Sequence, residues 1–271
     1  MSNRLWLKAM LAEMSGERLL NALRRRLTNW PHTLAWYWQM TSKAALYHQL
    51  SSLHNKFPNQ RCFIIGNGPS LQKMDLSPLS NEITFGLNRI YLMFDKLGFA
   101  TTFHVTINEL VIEQCVTDIQ HVPTTRFVNW NRRKLFNEEE SLLFLHQTYT
   151  PHFSKNLLKP IWGGATVTYA AMQIAYYMGF RQVILIGVDH QFVAKGTPHE
   201  TVISKGEDPD HFDPGYFGKG FRWQLPDLST SEFAYKMAKE VFEKDGREIL
   251  DATVGGNLNV YEKVAFESLF A

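Results

Sequence analysis

The stretch RCFIIGNGPSL, residues 61–71, runs from a short apolar segment straight into Gly-Asn-Gly-Pro-Ser. The apolar part has no polar alternation, which suits a parallel strand covered on both faces. The turn after it exposes backbone N–H groups and sets the Asn67 amide at the sheet edge, a nest that can cradle a phosphate or a nucleoside. It is not the dinucleotide fingerprint. A third glycine is missing, Pro69 removes a donor, and no acidic residue closes a following strand at the usual interval. It is not a Walker A loop either, since no Gly-Lys-Ser/Thr follows.

Outward from this turn the pattern repeats. EITFGLN (82–88), TFHVTIN (102–108), TRFVNW (125–130) and RQVILIGVDH (181–190) read as strands with polar residues at their ends, and REILDAT (247–253) as a last one. GGATVTYAAMQIAYYMGF (163–180) reads as a helix opened by two glycines, and 229–244 as a helix capped near Thr230 or Ser231. Strands alternating with helices predict an α/β fold, a Rossmann-like, doubly wound, mostly parallel sheet. Ligands bind such sheets outside the carboxyl ends of the strands. Asn67, Asn88, Asn108 and Asp189 all fall at that edge.

The 271 residues divide into an N-terminal basic, Trp-rich helical extension (1–58) and a Rossmann-like nucleotide-binding domain (59–271). Residues 1–61 hold nine Lys/Arg against Glu13 and Glu17, a charge of +7, which leaves −5 in the rest. Helical spacing covers 4–28 and 33–55, with Pro31 expected to stop the first run. The extension suits packing on the core or on a second subunit, or an anionic membrane surface. The Arg24-Arg25-Arg26 run has no nucleic-acid-binding motif after it. Two cysteines, Cys62 and Cys115, make neither a disulfide framework nor a zinc site. No apolar run spans a bilayer, and charges interrupt the N-terminus where a signal peptide would be apolar. The expected location is cytoplasmic, or peripheral at the inner face of the membrane.

Two blocks, IIGNGPSLQKMDLSPLSNEITFGLNRIYL (64–92) and GGATVTYAAMQIAYYMGFRQVILIGVDH (163–190), resemble the MptE-like family. That family includes archaeal 6-hydroxymethylpterin diphosphokinase and the central domain of Maf flagellin glycosyltransferases. The same blocks are similar to the bacterial CMP-sialic acid sialyltransferases of glycosyltransferase family 42. The resemblance covers 61 to about 255 and leaves the N-terminal helices outside. It implies that Gly66, Asn67, Gly68, Ser70 and Asn88 hold the nucleotide phosphate and ribose, with Asn108 a further contact. It also implies that Gly163 and Gly164 bring backbone amides of a helix start to the nucleotide, and that Asp189 lies beside the cytidine or ribose.

The segment GEDPDHFDPGYFGKGFRW, 206–223, combines acids with aromatic residues in the manner of an active-site lid. His211 in it matches the sialyltransferase general base, and an imidazole suits removal of a hydroxyl proton near pH 7. The sialyltransferases carry tyrosines after the strand that ends in Asp. Here His190, Gln191 and Phe192 follow Asp189, leaving Tyr216, Lys195, Lys219 or Arg222 as candidates to stabilise a leaving phosphate. Glu138-Glu139-Glu140 beside Arg132-Arg133-Lys134 reads as a solvated helix start.

The expectation is a glycosyltransferase moving a sugar, such as a nonulosonic acid from a CMP donor, to a glycan, lipid or protein acceptor hydroxyl. It would need no metal or other cofactor and would bind no nucleic acid; the chain could form a homo-oligomer. The alternatives are a Mg²⁺-dependent pyrophosphokinase acting on a pterin alcohol, with Asp208 and Asp210 as metal ligands, and a non-catalytic nucleotide-binding adaptor.

Overall fold

In the computed structural model, which describes residues 16–270, eight strands form one parallel sheet. In chain order they are β1 (Arg61–Ile65), β2 (Thr84–Leu87), β3 (Phe103–Thr106), β4 (Thr125–Asn129), β5 (Leu142–Leu145), β6 (Gln182–Ile186), β7 (Glu248–Asp251) and β8 (Glu262–Lys263). Their order across the sheet is β8-β7-β6-β1-β2-β3-β4-β5. The chain walks from β1 to β5 in one direction, then crosses back to lay β6 against the other side of β1, with Phe63 opposite Ile184 and Ile65 opposite Ile186. The gap beyond the carboxyl ends of β1 and β6 is therefore the switch point of a doubly wound sheet.

Both faces of β1 are covered. Cys62 and Ile64 enter one core cluster, and Phe63 and Ile65 enter another on the opposite face. That accounts for the lack of alternation, because successive side chains of a strand point to opposite faces. The first face is covered by α1 (Gly16–Thr41), α2 (Ala45–Ser51), α4 (Val167–Tyr177), buried from Thr168 on, and α5 (Leu228–Lys244), while the short α3 (Glu109–Gln114) follows β3. Trp36, Met40, Leu46 and Leu50 of the N-terminal helices, and Leu53 just after them, belong to the same cluster as Cys62 and Ile64.

Several boundaries differ from the sequence reading. The expected strands are present but shorter, β5 and β8 are additional, α5 matches the expected 229–244 to within a residue, and residues 4–15 of the first expected helix lie outside the described residues. The first helix does not stop at Pro31 but runs through it to Thr41. Contacts flanking the proline hold it: the Trp130 indole N–H donates to the His32 carbonyl at 2.9 Å, and Trp36 packs edge-on against Trp130 at 5.4 Å. The helix expected at 163 begins at Val167, capped by Thr166, because Gly164 and Ala165 are both left-handed. Asp227, rather than Thr230 or Ser231, caps α5, accepting from the Thr230 amide at 2.9 Å. Between β1 and β2 the connection is two 3-10 turns, each with proline at its start, since proline cannot donate within a helical ladder.

Candidate active site

At the switch point the turn after β1 and the turn after β6 interlock. The Gly66 amide donates to the Ile186 carbonyl at 2.8 Å, and the Gly68 amide to the Gly187 carbonyl at 2.9 Å. A side chain at Gly66 would collide with the Gly187 carbonyl oxygen, and one at Gly68 with the Asp189 carboxylate. Only glycine permits this approach of one backbone to another. Asp189 accepts from the Ser70 amide at 3.2 Å and the Ser70 hydroxyl at 2.6 Å. Both residues thus hold the turn in shape, and Ser70 is itself buried.

Above this edge lies a cavity of about 730 Å³, within the size range of small-molecule sites. Gly66, Asn67, Gly68, Asn88, Asn108, Gly163, Gly164, Asp189 and His211 all line it; Ser70 does not. The asparagines differ in state. The side-chain oxygens of Asn67 and Asn88 are buried with no hydrogen-bond partner among the described residues. Buried polar atoms are nearly always paired, so these two oxygens await a donor. Asn108 is already engaged as the cap of α3, accepting from the amides of Leu110 at 3.0 Å and Val111 at 3.3 Å. Asn88 is left-handed at φ 47°. Its amide donates to the Val105 carbonyl at 2.9 Å, and its own carbonyl accepts from His104 Nε2 at 2.5 Å. That acceptor fixes the His104 proton on Nε2, and burial holds the imidazole down to about 4, so it stays neutral.

The 206–217 loop forms the opposite wall. It is not a free-standing lid: Phe212, Tyr216 and Phe217 are buried in the core beneath β1 and β6, and the Phe212 amide donates to the Asn67 carbonyl at 2.9 Å. His211 lies flat on the Tyr216 ring, centroids 4.0 Å apart and planes 7° apart. Its Nδ1 contacts Asp208 Oδ2 at 2.8 Å. Burial pushes the Asp208 carboxyl up, but hydrogen bonds from His211 and from the Asp210 and Phe217 amides outweigh it and leave it below the usual carboxylate range. An ionised carboxylate only accepts, so Nδ1 carries a proton, and in the neutral ring the lone pair is the one on Nε2.

The leaving-phosphate candidates are placed elsewhere. Tyr216 is fully buried, its hydroxyl accepting from the Arg89 amide at 3.3 Å, while Lys195, Lys219 and Arg222 are exposed and, like Tyr216, absent from the cavity wall. Arg132 is the one Lys or Arg among the residues lining the cavity. It pairs with Glu109 at 2.6 Å and Glu113 at 2.7 Å. The Arg132–Lys134 run is therefore a 3-10 turn at the end of β4, with Arg132 on the cavity and Arg133 stacked on Trp130, rather than a solvated helix start. Its place just past a strand's carboxyl end was the available signal. His190 and Trp223, which lie in the segments marked after Asp189 and at 206–223, also line the cavity, as do His199 and Leu225, which carry no recognisable sequence mark.

Asp208 and Asp210 do not fit a divalent cation as a pair. Asp208 is engaged by His211 and two amides, and Asp210 Oδ1 accepts from the Val193 amide at 2.6 Å. Among the described residues no group of three or more His, Cys, Asp or Glu is set to hold a metal ion.

Residues 39–195 match the family described as MptE-like, 6-hydroxymethylpterin diphosphokinase MptE-like. A solved structure of a MAf glycosyltransferase from Magnetospirillum magneticum AMB-1 superposes with a TM-score of 0.52 at 14% identity. The match covers 79% of this chain and 35% of that one, so the likeness is one of fold over about a third of the larger protein. No curated protein matches.

Proposed function

The chain belongs to the MptE-like family, and from that premise we propose that it is a transferase that moves a sugar from a nucleotide donor to an acceptor hydroxyl. The observation that carries this reading is the His211–Asp208 pair, stacked on Tyr216 at the wall of the cavity. The Nε2 lone pair takes the acceptor proton, while Asp208 orients the ring and stabilises the imidazolium that forms. The acceptor oxygen attacks the anomeric carbon as the bond to the donor phosphate breaks, and the leaving phosphate takes the electron pair. Asn67 and Asn88 accept from donor groups of the nucleotide. The Gly163 and Gly164 amides and the Arg132 guanidinium face the phosphate.

The scarcity of positive charge favours a sugar nucleotide with one phosphate over a triphosphate. Arg132 stands alone and is already shared by two glutamates, and the Asp208–Asp210 pair does not offer a metal site to make up the difference. A CMP-linked nonulosonic acid fits that charge balance, with the acceptor hydroxyl on a glycan, lipid or protein. Calorimetry with CMP, CDP and ATP, each with and without Mg²⁺, tests the reading. Binding of CMP without metal is expected. Tight binding of ATP only with Mg²⁺ would overturn the sugar donor in favour of diphosphoryl transfer to a pterin alcohol. Nucleotide binding that is unaffected by His211→Ala, with no donor turnover by the wild type, would leave a nucleotide-binding adaptor.

A further inference from the structure

The helix α1 is two-faced in a way the cavity does not explain. Its inner face carries Asn29, Trp36 and Met40, all buried. Its outer face leaves Leu27 69%, Trp30 63%, Leu34 53%, Tyr37 49% and Trp38 72% exposed. Leu27, Trp30, Leu34 and Tyr37 follow at spacings of three, four and three, and Trp38 lies four beyond Leu34, so these side chains form one stripe. In the sequence Leu20 and Leu23 continue the same spacing toward the N-terminus. Large apolar side chains gathered in one exposed stripe mark a contact surface rather than ordinary scatter.

We propose that this stripe is a membrane-contact surface, and that its occupant is the interface of an anionic lipid bilayer. Charge decides between this and the obvious competitor, a second copy of the chain. The three-four spacing is also a coiled-coil pattern, with 20, 23, 27, 30, 34 and 37 as the seam. The positions that flank such a seam are 24 and 26, each about 80° from the centre of the stripe at 3.6 residues per turn. Both are arginine. In a self-paired helix these flanking positions face one another, where opposite charges are needed, so Arg24 and Arg26 repel a second copy. Against anionic headgroups the same two residues are complementary, and residues 1–61 as a whole carry +7.

The residue types fit as well. Tryptophan and tyrosine combine an apolar ring with a polar edge and favour the headgroup level of a bilayer. Among the described residues no helix is long and apolar enough to cross a membrane, so the contact is one of lying on the surface. The same helix reaches the cavity. Thr28 lines it, and Asn29 accepts from the Asn131 side chain at 3.0 Å beside Glu109. A bilayer held on the outer face of α1 thus lies near the cavity, where a lipid-carried acceptor would be within reach. The surface stands independently of the transferase reading, because nothing in it depends on the His211 loop.

The test uses the full chain with vesicles of phosphatidylcholine alone and with roughly a third phosphatidylglycerol. Co-sedimentation with the anionic vesicles alone is expected, weakening as salt is raised. Trp30→Ser combined with Trp38→Ser should lower the bound fraction about tenfold or more, and Arg24→Glu with Arg26→Glu should do so without touching the apolar stripe. Both pairs should keep the wild-type melting temperature and nucleotide binding. If either pair unfolds the chain, the other carries the test. Equal sedimentation with both vesicle types, no sedimentation at all, or retention by both variant pairs would overturn the proposal. So would light scattering that shows a wild-type dimer dissociated by the tryptophan substitutions, since that would make the stripe a protein interface.

Discussion

The two walls of the cavity are built on opposite terms. The wall at the strand ends uses backbone. Gly66 and Gly68 lock onto Gly187 and Asp189, and the Asn67 and Asn88 side-chain oxygens beside them have no partner among the described residues. The wall from the 206–217 loop uses side chains, and the groups that carry its chemistry are paired: Asp208 with His211 and two amides, Asp210 with Val193. On the proposed reading, the first wall is completed by the nucleotide and the second holds the base that takes the acceptor proton. Binding and chemistry are therefore separable here, and substitutions on one wall should leave the other's measurement standing.

The largest expected effect is on the paired wall. His211→Ala should lower the transfer rate by about 10²–10⁴ while nucleotide affinity stays within about twofold. Asp208→Asn should lower the rate as well, because an amide can present its N–H to Nδ1 and favour the wrong tautomer. Full transfer activity in a folded His211→Ala variant would end the base assignment, and a large loss of nucleotide affinity would show that the walls are not separable. Next comes the backbone wall. Gly66→Ala drives a methyl group into the Gly187 carbonyl, so both nucleotide affinity and stability should fall, the latter by about 1–3 kcal/mol. An unchanged melting temperature would contradict the close approach of β1 and β6.

The same contrast shows what was legible in the sequence. The backbone wall announced itself, because a strand that breaks into Gly-Asn-Gly and another that ends in Gly-Val-Asp have few other uses in a parallel sheet. Asn67, Asn88, Gly163, Gly164 and Asp189 could accordingly be placed at one edge. The side-chain wall was legible only at His211. Whether Tyr216 reached the cavity or the core was a matter of how the loop folds back, and a string of acids and aromatics does not encode that. Arg132 was hidden for the opposite reason: in a run of three basic residues, only the turn after β4 selects which one faces inward. Pro31 misled because tertiary contacts through Trp36 and Trp130 outweighed a local breaker.

A smaller effect joins the walls to the fold beneath them. His104 is buried under Asn88 and held down to about 4, against about 6.5 in an unfolded chain. Between those values the unfolded chain binds a proton that the folded one refuses. The stabilisation is therefore complete above about pH 6.5 and is lost as pH falls toward 4, amounting to ~3 kcal/mol from this group. Urea denaturation between about pH 7.5 and pH 4.5 should show that decline, and His104→Gln should reduce it, leaving the share of His146, which burial also holds down to about 4. Stability independent of pH across the window would mean that His104 is protonated in the folded chain.

The smallest effects are the most diagnostic, because they concern atoms that no described residue satisfies. Replacing Asn67 by alanine removes a buried unpaired oxygen, so stability should hold or rise slightly while nucleotide affinity falls about tenfold, one hydrogen bond's worth. Asn88 needs a pair of substitutions, since its left-handed backbone adds a cost of its own for most residues. Asn88→Ala combines loss of the amide with about 1 kcal/mol of backbone strain, whereas Asn88→Gly removes the amide and keeps the conformation free. The two variants should therefore bind nucleotide with similar, weakened affinity yet melt at different temperatures, alanine lower. If Asn88→Gly binds as tightly as the wild type, the oxygen is not a ligand contact. The unpaired state of this wall would then belong to the fold and not to the site.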